Sequence, residues 1–193
     1  MMLKSLKMIV VLTLAGLLSG GFLTVVYKKT LPEIEKRRLE ALQEAIFVVL
    51  PQAVDYKETE IEGENFYQGI DKNGQDAGIA FLVKGPGFQG EIKMMVGITQ
   101  DLSKLQNIYI LESIETPGLG GKITGDDFQR QFKGLSIKDR IELIKRGRGR
   151  RFEAAAQEAT VEAITGATIS SRAVVDMINR KIARVKEVLA RGE

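Results

Sequence analysis

Residues 165–189 read TGATISSRAVVDMINRKIARVKEVL. From Ser170 onward, Val174, Met177, Ile178, Ile182, Val185 and Leu189 recur at helical spacing and form one apolar stripe. Such a stripe has to be buried against a second layer. Just before it, Gly166 and Ala167 are followed by hydroxyl residues at the point where the helix should begin. The free backbone N–H groups and the positive dipole end at that point favour an anion, and the two small residues leave room for a phosphate. The same residues equally suit simple capping by Thr168 or Ser170. Local pattern alone leaves both readings open.

The second layer lies upstream. Segments around 56–62, 66–71, 78–84, 92–100 and 105–113 are short and rich in β-branched or aromatic residues. Asp71-Lys-Asn-Gly74 signals a hairpin turn, and Gly85-Pro-Gly-Phe-Gln-Gly90 a second glycine-rich turn. The spacing predicts an antiparallel sheet of four to six strands. A short helix is expected over Asp126–Phe132, with Phe128 and Phe132 on one face. The expected class is α+β, with a C-terminal helix on the sheet.

At the other end of the chain, Met8 to Tyr27 holds 20 residues without a charge. A helix of that length matches a hydrocarbon core of about 30 Å. Lys4 and Lys7 precede it, Lys28 and Lys29 follow it, and Tyr27 sits where an interfacial aromatic belongs. A cleaved signal peptide is the competing reading. The run is longer than a usual signal core and ends without a small-x-small cleavage site, which favours an uncleaved single-span anchor. Thr30-Leu-Pro-Glu33 then reads as a new helix start, with Thr30 as cap and Glu33 at the capping-box position. The apolar period through Ile34, Leu39, Leu42, Ala45, Ile46 and Val49 carries that helix to Pro51, and the helix is expected either to continue from the span or to pack on the base of the main domain. The expected organisation is an anchor over 1–28, a juxtamembrane helix over 29–52 and the main domain over 53–193.

Charge and composition narrow the function. The 193 residues carry 28 Lys and Arg against 25 Asp and Glu. Residues 1–38 sum to +5 and the remainder to −2, so the excess belongs to the membrane flanks. A near-neutral domain argues against a nucleic-acid partner. Lys145, Arg146, Arg148, Arg150 and Arg151 form a local basic cluster, read either as a solvated loop or as a contact for lipid headgroups or an acidic partner protein. Cys and His are both zero. That excludes disulfides, thiolate or imidazole metal sites, and serine–histidine or cysteine–histidine catalysis. No metal ligands and no catalytic residues are assigned. Any redox chemistry requires a non-metal cofactor held by other residues.

A second motif, Glu115-Thr-Pro-Gly-Leu-Gly-Gly121, follows the last expected strand. Its proline fixes one backbone angle and its glycines permit close approach to a ligand, although an ordinary turn has the same composition. Together, in this order, TGATISS and ETPGLG resemble the two signatures of the covalent FMN-binding domain family. That domain occurs in the G subunit of Rnf-type ion-translocating electron transport complexes. It also occurs in the related C subunit of sodium-translocating NADH:quinone oxidoreductase. The resemblance covers essentially the whole chain, and the short length is closer to the Rnf protein. Glu162 and Thr165 stand where the family commonly has Asp and Ser.

The resemblance implies an FMN joined by a phosphoester to Thr168, attached by a separate flavin transferase with FAD as donor. Thr165, Gly166, Ala167 and Ser171 would hold the phosphate region. Glu115, Thr116, Gly118, Leu119 and Gly120 belong to the loop that would face the isoalloxazine ring. The chain would be an electron-carrying flavoprotein of an Rnf-type ferredoxin:NAD complex, working with its other membrane and peripheral subunits and not catalytic alone. It would be a single-pass protein of the cytoplasmic membrane, embedded in the lipid bilayer. The FMN domain would lie on the extracytoplasmic side, although a simple count of flanking charges puts it inside. A non-redox binding or assembly module, or an FMN carrier of another extracytoplasmic system, are the alternatives.

Overall fold

The computed structural model describes residues 2–145 and 159–191. Residues Met1–Ala41 and Leu42–Glu193 form two compact units. The first is most of a long helix, α1, which runs from Met2 to Val49. Among the described residues it is the one helix long and apolar enough to cross a membrane, and its apolar part is exposed throughout. The helix continues from the span, one of the two arrangements expected for it, and Thr30 caps no separate start. The Thr30 hydroxyl donates to the Val26 carbonyl one turn back, and Pro32 sits inside an unbroken helix. Proline removes one N–H and crowds the carbonyl four residues earlier, but here the bonds on either side carry the helix through.

The second unit begins with the last turns of α1. Next come five strands: β1 (Asp55–Ile61), β2 (Glu64–Ile70), β3 (Asp76–Pro86), β4 (Glu91–Ile98) and β5 (Leu105–Ser113). They form one antiparallel meander in chain order, as the alternating segments predict. Boundaries differ in detail. Glu62 is not in a strand: it and Gly63 both take positive φ and make the β1–β2 turn. Asp71 accepts the amides of Asn73 and Gln75 in the β2–β3 hairpin, and Gln100 falls in the β4–β5 turn.

Both faces of the sheet are covered within this unit. Phe66, Ile79, Phe81, Val83, Met94, Val96 and Ile98 point to the larger core. There they meet the C-terminal helix α3 (Thr168–Arg191) through Val174, Met177, Ile178, Ile182 and Val185. The Leu189 side chain lies outside the described set. Tyr67, Ala80 and Met95 point the other way, onto Ala45, Ile46, Val49 and Leu50 of the α1 terminus. Gly97 permits that contact, since a Cβ there would lie 2.3 Å from the Val49 carbonyl oxygen. Asn107 Nδ2 donates to the Val48 carbonyl at 3.1 Å and satisfies one of the acceptors exposed at a helix C-terminus.

After β5 the chain makes a 3₁₀ turn (Gly120–Thr124), the one-turn helix α2 (Asp126–Gln129) and a second 3₁₀ turn (Arg130–Phe132). Phe128 and Phe132 pack edge to face at 5.3 Å, as their spacing predicts. Sequence periodicity missed the parallel pair β6 (Glu142–Ile144) and β7 (Thr160–Glu162), which is only three residues long on each side. Of the basic cluster, Lys145 is exposed, and Arg146, Arg148, Arg150 and Arg151 lie outside the described residues.

Candidate functional site

Local sequence shapes the start of α3. Gly166 adopts φ +83°, a conformation that costs an L side chain, and so reverses the chain ahead of the helix. The Ala167 amide donates to the Ile164 carbonyl at 2.9 Å, and the helix opens at Thr168, two residues earlier than the apolar period suggests. Ser171 is fully buried. Its hydroxyl donates to the Ala167 carbonyl at 2.9 Å and accepts the Ile164 amide at 3.2 Å, clamping the turn from inside. Thr165, Gly166, Thr168 and Ile169 face solvent. The first-turn amides of a helix have no acceptor within it. An exposed hydroxyl therefore stands beside the anion-favouring end of a helix of 24 residues.

The ETPGLG loop is wound around one carbonyl. Thr116 O accepts the amides of Leu119 at 3.1 Å and Gly121 at 2.9 Å. Gly118 takes φ +78° at the exposed tip, and Leu119 is exposed beside it. The Thr116 hydroxyl donates to the side-chain oxygen of Gln89 in the β3–β4 turn. Glu115 and Gly120 are buried.

One hydrogen bond and one close approach bring this loop to the start of α3. Leu119 Cδ2 lies 3.6 Å from where a Cβ at Gly166 would stand. The Ser170 hydroxyl donates to Glu115 Oε2 at 2.6 Å. The other oxygen, Glu115 Oε1, accepts the amides of Phe88 at 2.7 Å and Gln89 at 2.9 Å. Burial works against this charge, but the Ser170 hydroxyl and the amides of Gln89, Phe88 and Gly90 outweigh it and hold the carboxyl below its usual range. The two motifs, 45 or more residues apart in sequence, thus form one surface. Ser170 and the amides of Phe88 and Gln89 were not legible as parts of it. Serine is common in first turns, and the long-range carboxylate that uses it leaves no local signal.

Beside this surface lies a cleft of about 1120 Å³, whose lining includes Pro117, Gly118, Ala163 and Ile164. That is at the large end for a small-molecule site. Thr160 is buried in its wall, with no hydrogen-bond partner for its hydroxyl among the described residues. Glu162 is half-buried, and its backbone is held by the Gln131 side chain. No cluster of acidic residues suited to a metal ion occurs among the described residues.

A family model described as an FMN-binding domain matches residues 87–183, which span both motifs. The chain is 32% identical over 184 residues to the G subunit of the ion-translocating oxidoreductase complex of Methanosarcina acetivorans, covering 91% of this chain and 92% of that one. It is 32% identical over 167 residues to the G subunit of the Na(+)-translocating ferredoxin:NAD(+) oxidoreductase complex of Acetobacterium woodii, covering 77% and 76%. The crystal structure of Shewanella oneidensis NqrC superposes with a TM-score of 0.54 at 19% identity, over 68% of this chain and 66% of that one, and shares the fold.

Proposed function

The chain belongs to the FMN-binding domain family and is homologous to the G subunits of ion-translocating oxidoreductase complexes, and from that premise we propose that it is a membrane-anchored FMN electron carrier of an Rnf-type ferredoxin:NAD complex, with the flavin joined by a phosphoester to Thr168. The observation that carries this reading is the joining of the two motifs. An exposed threonine at a helix N-terminus stands near a glycine-rich loop, tied to it by Ser170 and Glu115, with Leu119 beside the space that a side chain at Gly166 would occupy.

The residues present fit the group. The Gly166 turn has open space where a larger residue would put a side chain, apart from Leu119 at its edge. The first-turn amides of α3 suit a phosphate. With neither His nor Cys in the chain, the common ring-linked covalent flavins cannot form, while a hydroxyl phosphoester can. When bound, the flavin supplies the electron chemistry. The chain supplies the rest. Thr168 tethers, the first turn of α3 neutralises phosphate charge, and the exposed Leu119 offers an apolar contact. The cleft lined by Pro117 and Ile164 offers a recess large enough for an aromatic ring system.

Attachment would be made by a flavin transferase, and electrons would pass to and from neighbouring subunits of the complex. The apolar part of α1 would anchor the chain in the lipid bilayer, with the domain of residues 53–193 on the extracytoplasmic side. A domain of that size can override the charges flanking a span.

The test is in-gel fluorescence of the full-length protein co-expressed with a flavin transferase. A fluorescent band is expected in the wild type and its loss in Thr168→Ala. A dark wild-type band, or a bright Thr168→Ala band, would overturn the attachment site.

A further inference from the structure

Glu115 opens the ETPGLG motif, yet its side chain is turned away from the surface the motif presents. It is 7% exposed, and its two oxygens accept from Phe88, Gln89 and Ser170, with the Gly90 amide also favouring the charge. Phe88 and Gln89 come from the β3–β4 turn, and Ser170 from the first turn of α3, two residues after Thr168. The packing around the carboxylate is close. A Cβ at Gly87 would lie 2.3 Å from Glu115 Oε1, and one at Gly120 would lie 2.2 Å from Oε2 and 2.7 Å from Ser170 Oγ. Neither glycine has a positive φ, so packing excludes a side chain at both: the carboxylate in each case, joined at Gly87 by Ile92 Cδ1 at 2.7 Å and the Gly90 carbonyl oxygen at 3.0 Å. One of the motif's glycines is there for Glu115.

We propose that Glu115 is a positioning residue for the cofactor. Its carboxylate fixes the ETPGLG loop and the β3–β4 turn against the first turn of α3, and its negative charge beneath that turn lowers the reduction potential of the flavin carried there. The inference rests on attachment at Thr168. Two physical roles are separable. The tie is geometric: it sets the distance between the loop that faces the ring and the helix that bears the tether. The charge is electrostatic: a buried anion beside a group that gains electrons opposes that gain, and low local polarity strengthens the opposition.

Two substitutions divide these roles. Glu115→Gln keeps the shape. Its oxygen still accepts the two amides and its NH₂ reaches the Ser170 oxygen, so the tie survives without the charge. Ser170→Ala removes the tie to α3 and leaves the carboxylate with its amide donors. It also keeps the proposal testable if Glu115→Gln fails to fold. The full-length protein is purified in detergent after co-expression with a flavin transferase. Three quantities are read: in-gel flavin fluorescence, the flavin midpoint potential by spectroelectrochemistry, and flavin fluorescence anisotropy. Glu115→Gln should carry flavin with a midpoint shifted to more positive potential. Ser170→Ala should show lower anisotropy, with a smaller change in midpoint than Glu115→Gln. A flavin-bearing Glu115→Gln protein with the wild-type midpoint would refute the charge, and wild-type anisotropy in Ser170→Ala would refute the tie. If the wild type carries flavin at a residue other than Thr168, the attachment reading fails instead, and mass spectrometry of the flavinylated peptide shows which.

Discussion

At the residue scale, the fate of Glu115 turns on its protonation. Its carboxyl is held below the ordinary range by the donors around it, against the pull of burial. The folded state therefore binds that proton less readily than the unfolded chain does. The stabilisation is complete above the ordinary glutamate value near 4.3 and is lost as pH falls through the lower folded value. We expect the wild type to unfold at a higher temperature than Glu115→Gln at neutral pH, and the gap to close on acidification below about pH 4. Thermal melts of both proteins from pH 7 to pH 3 check this, and a gap that stays constant across the series would exclude the carboxylate as its source. Asp101 follows the same sign. Hydrogen bonds from Thr99 and Ser103 lower it to about 2, but it is fully exposed in a turn, and no comparable contribution is expected there.

At the element scale, the last turns of α1 act as a structural part of the sheet. Ile46, Val49 and Leu50 are fully buried against its second face. Ile46→Ala should cost about 2–5 kcal/mol, the usual range for a large aliphatic truncated in a core. Gly97→Ala drives a methyl into the Val49 carbonyl and should cost about 1–3 kcal/mol. Urea unfolding followed by circular dichroism gives both values, and a loss under about 0.5 kcal/mol for either variant would mean the α1 terminus is not held as described. The helical period over residues 34–49 was plain in the sequence, and so was its end at Pro51. Of the two arrangements expected for this helix, continuation from the span is the one found; the cap pattern at Thr30 describes what a segment could begin, not what precedes it. Once the preceding span is helical, the Thr30 hydroxyl turns back to Val26. The strands were legible by alternation wherever a hairpin joined them. β6 and β7 were not, since three residues carry no period and the paired residues, such as Glu142 and Thr160, stand far apart in sequence.

At the scale of the whole molecule, the compact unit starts at Leu42 and not at the end of the helix. A fragment of residues 42–193 should therefore be markedly more stable than one of residues 53–193, which leaves Tyr67, Ala80 and Met95 uncovered. Differential scanning calorimetry of the two fragments decides this, and equal melting temperatures would show that the second face of the sheet needs no cover. Sidedness belongs to this scale too. Protease added to spheroplasts should digest the domain if it lies outside the cytoplasm, whereas a protected domain would reverse the proposed orientation.

The sequence by itself determined the apolar span, the antiparallel strands, the amphipathic stripe of α3 and the identity of both motifs. Each is a local pattern, set by a period of 2 or 3.6 or by residues adjacent along the chain. Even the absence of Cys and His constrained what any covalent flavin linkage could be, without any coordinates. Only the tertiary structure decided that the ETPGLG loop and the TGATISS turn meet. It showed that Ser170 and the β3–β4 turn, whose Phe88 lies 27 residues before Glu115, share the Glu115 carboxylate. It also put two glycines there to make room for that carboxylate. A buried charge has to gather its donors from wherever the fold brings them close, and that closeness exists only once the sheet has formed and α3 has packed across it.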